Sequence, residues 1–169
     1  MTINYPQSPL MGQMMDQPLL ISSIIEFAAR HYCSSEIVSR RVEGDLHRYT
    51  FRECHLRARQ LANALQALGV GMGDRVATLA WNGYRHLEAY YAVSGSGAVL
   101  HTINPRLHPE QMAYICNHAE DQYLLFDLCF LPLVEAIAPH CKSIKGFIMM
   151  ADADRMPAEK VTRSLSNNS

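Results

Sequence analysis

The sequence predicts an α/β protein with a mostly parallel sheet and helices on both faces of that sheet. Between Arg75 and Asp127, short runs of apolar residues alternate with helical stretches of roughly ten residues. A turn with a proline at its centre, Asn104-Pro105-Arg106, follows the middle apolar run. This alternation is typical of βαβ crossovers, in which a helix joins two parallel strands.

The first elements precede this region. Apolar residues at helical spacing (Leu20, Ile24, Phe27 and Ala28) predict an amphipathic helix over residues 19–32. Residues 36–42 and 46–49 flank Glu43-Gly44-Asp45 and predict a β-hairpin. We expect this helix and hairpin at the edge of the sheet.

The next helix has clear signals at both ends. Thr50 and Glu53 have the spacing of a capping box, and Gly69 is suited to the left-handed position that follows a helix. The remaining pattern predicts strands at 75–80, 98–103, 123–126 and 146–150, and helices at 84–93, 109–118 and 131–138. We expect the core of the sheet to include Val76, Leu79, Val99, Ile103, Leu124, Phe126 and Ile148.

Three segments differ in character. Residues 1–17 lack a period and contain Pro6, Pro9 and Gly12, which indicates a flexible leader. Residues 18–150 carry the periodic pattern and form the predicted subdomain. Residues 151–169 have no apolar period and end in Ser and Asn, which indicates a disordered or non-native tail.

The composition excludes several classes of function. The chain has 169 residues, of which 49% are hydrophobic and 18% are charged, and its net charge is −1. These values argue against a disordered chain and against a nucleic-acid-binding protein. The sequence contains no run of about eighteen apolar residues, so it predicts no transmembrane helix. Five scattered cysteines without zinc-type spacing favour reduced thiols in a protein of the cytoplasm. Peripheral contact of this protein with a membrane stays an open alternative.

The sequence offers no recognisable motif for catalysis. The glycines at 69–73 and 95–97 lie between a helix and the following strand, whereas a phosphate-binding loop runs from a strand into a helix. The sequence has neither the zinc-protease pattern HExxH nor the hydrolase pattern GxSxG. His86 and His101 are expected to be hydrogen-bonded rather than metal ligands. We therefore assign no catalytic residue and no metal ligand.

One position has a geometric argument for binding. Asn104-Pro105-Arg106 follows one predicted strand, and Trp81-Asn82 follows another. Ligands of open parallel sheets bind beyond the carboxyl ends of the strands, where both segments should lie. A guanidinium and an amide there could bind an anionic or polar ligand. The alternative, that these residues only close a turn, stays open.

Several blocks of sequence carry a family resemblance. They are Tyr49-Thr50-Phe51, Gly73-Asp74-Arg75-Val76-Ala77, the block from Trp81 to Glu88, the block from Gly97 to Leu107, and His118-Ala119-Glu120-Asp121. In this order and spacing the chain resembles the N-terminal part of bacterial medium- and long-chain fatty-acid–CoA ligases. These belong to the acyl-adenylate-forming superfamily of AMP-binding synthetases.

The resemblance implies a two-step reaction that uses ATP, Mg²⁺ and CoA. A fatty acid attacks ATP to give an acyl-adenylate and pyrophosphate, and the thiol of CoA then displaces AMP. It also implies that Asn104, Pro105 and Arg106 contact the nucleotide of CoA. The family's phosphate loop and its catalytic lysine have no match in this sequence. We therefore expect a fragment that is inactive alone, as from a truncated or frameshifted gene.

A second hypothesis is a non-catalytic remnant that binds a ligand or a partner. A half-domain exposes apolar surface that further strands and helices would cover, so we expect self-association through that face.

Overall fold

The computed structural model describes residues 16–152, 155 and 156. Its first elements are helix α1 (Ile21–His31), strands β1 (Glu36–Arg40) and β2 (Leu46–Thr50), and helix α2 (Phe51–Ala67). The two strands pair antiparallel with each other, and Ile37 lies opposite Tyr49. Within the described residues this hairpin is a two-stranded sheet of its own beside α3, and α1 packs on α2 and α3.

The second part is the predicted βαβ region. It comprises strands β3 (Arg75–Leu79), β4 (Val99–Thr102), β5 (Tyr123–Asp127) and β6 (Gly146–Met150), and helices α3 (Tyr84–Gly95), α4 (Pro109–Ala119) and α5 (Leu131–Ile137). The strands form a four-stranded sheet in the order β4-β3-β5-β6, and every pair is parallel. The prediction of a parallel α/β sheet is confirmed.

Helices cover both faces of this sheet because side chains alternate along each strand. Ala77, Leu124 and Phe126 point to one face, where α4 and α5 bury Met112 and Val134 against them. On the other face, α2 and α3 cover Val76 and Leu125 with a second cluster. Its helical members include Leu65, Ala89 and Val93.

Helix α2 begins and ends as its sequence predicts. The backbone N–H of Glu53 donates to Oγ1 of Thr50, and the carboxylate of Glu53 accepts from the backbone N–H of Thr50. At the other end, Gly69 has φ +87°, and the N–H of Val70 donates to the carbonyl of Leu65 at 3.0 Å. This is a Schellman motif, which leaves few helix carbonyls unpaired.

Two predictions about burial need correction. Val99 was expected in the core but its side chain is 49% exposed, because β4 is an edge strand of the described sheet. Ile148 lies on the other edge strand, β6, and does pack against the second core cluster, but it is only half-buried. The five other residues predicted in the sheet core are buried: Val76, Leu79, Ile103, Leu124 and Phe126.

Helix α1 also differs from its predicted orientation. It buries Ile25 against Tyr49 and Tyr84, so the face that packs is not the predicted stripe. Leu20, Ile24 and Phe27 are each more than half exposed, at 54%, 58% and 56%.

The predicted segment boundaries stay predictions. Residues 1–15, most of the predicted leader, lie outside the described residues, as do residues 153, 154 and 157–169 of the predicted tail.

Candidate functional site

The candidate site lies at the edge of the sheet where the carboxyl ends of the parallel strands meet. Thr78 of β3 is level with Thr102 of β4, and the N–H of Ile103 donates to the carbonyl of Thr78 at 2.8 Å. The chain therefore leaves both strands at the same edge. The turns that begin at Trp81 and Asn104 lie there, as the sequence predicts for neighbouring parallel strands.

The turn after β4 is held by its own asparagine. Oδ1 of Asn104 accepts the backbone N–H of Arg106 at 3.0 Å, and the carbonyl of Asn104 accepts the N–H of Leu107 at 3.2 Å. Both side chains, Asn104 and Arg106, are exposed and Pro105 is half-buried. Among residues 16–152, no hydrogen bond or ion pair involves the guanidinium of Arg106. This turn therefore presents an unpaired positive charge on a fixed backbone.

The turn after β3 is tied to β5. The backbone N–H of Trp81 donates to Oδ2 of Asp127 at 2.8 Å, and the indole packs on Phe130 with the ring centroids 5.4 Å apart. Asp127 is 5% exposed, and this burial raises the pKa of its carboxyl. The N–H of Trp81 and the charge of Arg85 act in the opposite direction. Sequence reasoning did not identify Asp127, although a carboxylate at the end of an apolar strand is a visible signal.

A partly buried ion-pair network lies beside the turn after β3. Nη1 of Arg85 in α3 is 2.9 Å from Oε1 of Glu43 in the hairpin, and Nη2 is 3.1 Å from Oδ1 of Asp152, which follows β6. Arg41 also pairs with Asp152 and with Asp45. The network joins the hairpin, α3 and the segment after β6. Sequence reasoning missed it, and the described part of the predicted tail contributes Asp152 to it.

The two histidines considered in the sequence are hydrogen-bonded. Nε2 of His86 lies 3.0 Å from Oγ1 of Thr78, and Nδ1 of His101 lies 2.9 Å from Oδ2 of the fully buried Asp121. Burial lowers the pKa of His86 and raises the pKa of Asp121. In the described part of the chain, no group of three or more His, Cys, Asp or Glu is arranged to hold a metal ion.

The residues at this edge fit some of the implied cofactors better than others. A triphosphate needs a glycine-rich loop between a strand and a helix. Two turns lead from a strand into a described helix of eight residues or more, one after β3 and one after β4. Together these two turns contain one glycine, Gly83, and no lysine. They do not fit the triphosphate of ATP. The exposed guanidinium of Arg106, beside the amide of Asn104, does fit a single phosphate group.

Comparison with known proteins decides the family. The model of the AMP-binding enzyme family matches residues 25–168. The chain belongs to the AMP-binding enzyme family. A 3-methylmercaptopropionyl-CoA ligase of Ruegeria lacuscaerulensis is 53% identical over 83% of this chain. A long-chain-fatty-acid–CoA ligase of Thermus thermophilus is 56% identical over 81% of it.

The AMP-binding enzyme fold is also found in solved structures. An anthranilate CoA ligase in complex with anthranoyl-AMP superposes with a TM-score of 0.71 at 25% identity, over 80% of this chain and 26% of that one. The chain likewise spans 26% and 25% of the length of the two ligases named above. No helix in the described residues is both long and apolar enough to span a membrane.

Proposed function

We propose that this AMP-binding enzyme chain is the N-terminal part of an ATP-dependent carboxylic acid–CoA ligase. The observation that carries the proposal is the identity above 50% to proteins named as CoA ligases, over most of this chain. The whole enzyme would use ATP with Mg²⁺ to form an acyl-adenylate and then transfer the acyl group to CoA in the cytoplasm. Most of that machinery would lie in the part of the whole enzyme that this chain does not span, since the chain spans 26% and 25% of the length of the two ligases.

The proposed substrate is a medium- or long-chain fatty acid. The two relatives are named for a long-chain fatty acid and for 3-methylmercaptopropionate. Both acids have a carboxylate on an apolar chain, and this shared chemistry supports the substrate class.

For the present residues we propose one contact, between Arg106 and a phosphate of CoA. The guanidinium is exposed and lacks a partner among residues 16–152, so it can bind a phosphate without breaking an existing ion pair. Asn104 fixes the backbone N–H of Arg106, which keeps the turn in one conformation and lowers the entropic cost of binding. An exposed charge pair of this kind contributes on the order of 1 kcal/mol.

The test is calorimetric titration of the chain with CoA and with pantetheine, which lacks the phosphates. Arg106→Ala should weaken CoA binding by about fivefold and leave pantetheine binding unchanged. Arg48→Ala is the matched control, because Arg48 is an exposed arginine on the hairpin that pairs with Glu36. Equal effects of the two variants on CoA would contradict the proposed contact.

A second proposal concerns association. Leu20, Ile24 and Phe27 form an exposed apolar stripe on α1. An unpartnered stripe of this kind supports the alternative that the isolated chain acts as a non-catalytic module that associates with itself. Light scattering tests the association, and pyrophosphate exchange tests the ligase activity.

A further inference from the structure

A cavity of about 650 Å³ lies between helices α1, α2 and α3. This size is within the range of small-molecule sites. The cavity exists because the facing positions of the helices are small. These positions include Ser22, Ala29, Ala58, Ala62, Ala92 and Gly95.

The floor of the cavity is apolar. Ile25, Ala58 and Ala92 line it and are 3%, 3% and 2% exposed. The ring of Tyr91 lines the same space and is half-buried. An apolar group of a ligand could therefore leave water there, which favours its burial.

The rim of the cavity is cationic. Arg30 of α1 and Arg52 and Arg59 of α2 line it, and Glu26 is the carboxylate among the lining residues. No hydrogen bond or ion pair involves these three guanidinium groups within residues 16–152. Five other described arginines do have carboxylate partners (Arg41, Arg48, Arg57, Arg75 and Arg85), whereas Arg40 and Arg106 have none among residues 16–152.

We propose that this cavity binds a small organic phosphate, with its phosphate at the arginines and its apolar part on the floor. Guanidinium groups form bidentate, charge-assisted hydrogen bonds with phosphate. The cavity is a recess between helices, so a free molecule can enter it and a planar lipid surface cannot. This cavity is separate from the turn of Arg106, which contributes no residue to its lining.

Phenyl phosphate is the probe, since it joins one phosphate to one apolar ring. Calorimetric titration of residues 1–169 at low salt should give a dissociation constant of about 1 mM or lower. Phenol and inorganic phosphate should each bind at least about fivefold more weakly, because each lacks one of the two interactions. Equal binding of phenol and phenyl phosphate would overturn the proposal.

The variants separate charge from volume. Arg30→Ala and Arg59→Ala should each weaken binding by about fivefold, and Glu26→Gln should tighten it about twofold by removing the competing carboxylate. Ala62→Phe fills the cavity without changing any charge and should abolish binding. Circular dichroism checks that each variant is folded.

Two matched controls and one vesicle experiment complete the test. Arg40→Ala and Arg48→Ala also remove an exposed arginine, but neither residue lines the cavity, so phenyl phosphate should bind both variants as it binds the wild type. Weaker binding by Arg48→Ala to the same degree as by Arg59→Ala would contradict the site. A second result would also contradict the site. In that result the chain does not bind phenyl phosphate but does bind phosphatidylglycerol vesicles, and the vesicle binding is lost in Arg59→Ala.

Discussion

The backbone N–H of Trp81 donates to Oδ2 of Asp127 at 2.8 Å and so joins the carboxyl ends of two neighbouring strands. Asp127 is buried at the end of β5, and Trp81 begins the turn that follows β3. The bond holds the turn after β3 in place, next to the turn after β4 that carries Arg106. A buried carboxylate is thus used at the sheet edge to hold backbone in place.

The first prediction concerns the pH dependence caused by Asp127. Burial raises the pKa of this carboxyl above its usual value of 3.8, so the native state binds the proton more tightly than the unfolded state. The carboxyl therefore lowers the free energy of unfolding as the pH rises through its native pKa. Asp127→Asn keeps an acceptor for Trp81 and does not titrate. Its stability relative to the wild type should be higher at pH 7 than at about pH 4.

Urea denaturation of both proteins at several pH values measures this difference. Asp127→Ala is the control, since it does not titrate either but removes the acceptor, and it should be about 1–3 kcal/mol less stable than Asp127→Asn at every pH. A relative stability of Asp127→Asn that falls as the pH rises would show that the sign is wrong.

The second prediction concerns the ion pair between Arg85 and Glu43. Their side chains are 10% and 5% exposed, so removing Glu43 leaves the buried charge of Arg85 with the more exposed Asp152 as its remaining partner. Glu43→Ala should lower the free energy of unfolding by about 3 kcal/mol. The exposed pair of Arg48 and Glu36 is the comparison, and Glu36→Ala should cost less than about 1 kcal/mol. Equal costs in chemical denaturation would exclude a structural role for the buried pair.

The third prediction concerns the end of α2. Gly69 has φ +87°, which an L side chain adopts only with strain, so Gly69→Ala should cost about 1–2 kcal/mol. Gly71 lies two residues later without a positive φ, and a Cβ there would meet Oδ2 of Asp74 at an ordinary 3.7 Å. Gly71→Ala should therefore be neutral or slightly stabilising. Thermal denaturation compares the two variants, and a larger cost at Gly71 would refute this explanation.

Local signals in the sequence predicted much of the fold. The capping box at Thr50, the glycine at 69 and the apolar run of β6 each act over a few residues, and all three lie where the sequence predicts. Val99 was misplaced because its burial depends on strand order, and an apolar run does not show whether its strand is at an edge.

The candidate site was predictable only in part. The parallel topology places the turns at Trp81 and Asn104 at one edge, and this followed from the βαβ pattern. The network around Arg85 did not follow from that pattern, because the partners of Arg85, Glu43 and Asp152, are 42 and 67 residues away in sequence. The cavity between α1, α2 and α3 was missed for a similar reason. Arg52 and Arg59 lie on α2, and only the packing of α1 brings Arg30 to the same cavity.

The fourth prediction concerns self-association. The exposed stripe on α1 should cause residues 1–169 to associate as concentration rises, measured by light scattering. Ile24→Lys with Phe27→Lys should reduce association, because the change removes apolar surface and adds charge. Gln60→Lys with Gln66→Lys adds the same charge at exposed positions of α2 and should have a smaller effect. A wild-type chain that stays monomeric at high concentration would contradict the association.

The most direct test of the account is pyrophosphate exchange on purified residues 1–169 with ATP, Mg²⁺ and octanoate or palmitate. Adenylate formation needs the triphosphate to be held and its charge to be neutralised, and such electrostatic preorganisation usually supplies the largest part of the rate enhancement. The turns at the sheet edge offer the exposed Arg106 but no glycine-rich phosphate loop. We predict no exchange above background. Exchange that depends on the fatty acid would contradict this account and would place an adenylation site among residues that we interpret as packing and turns.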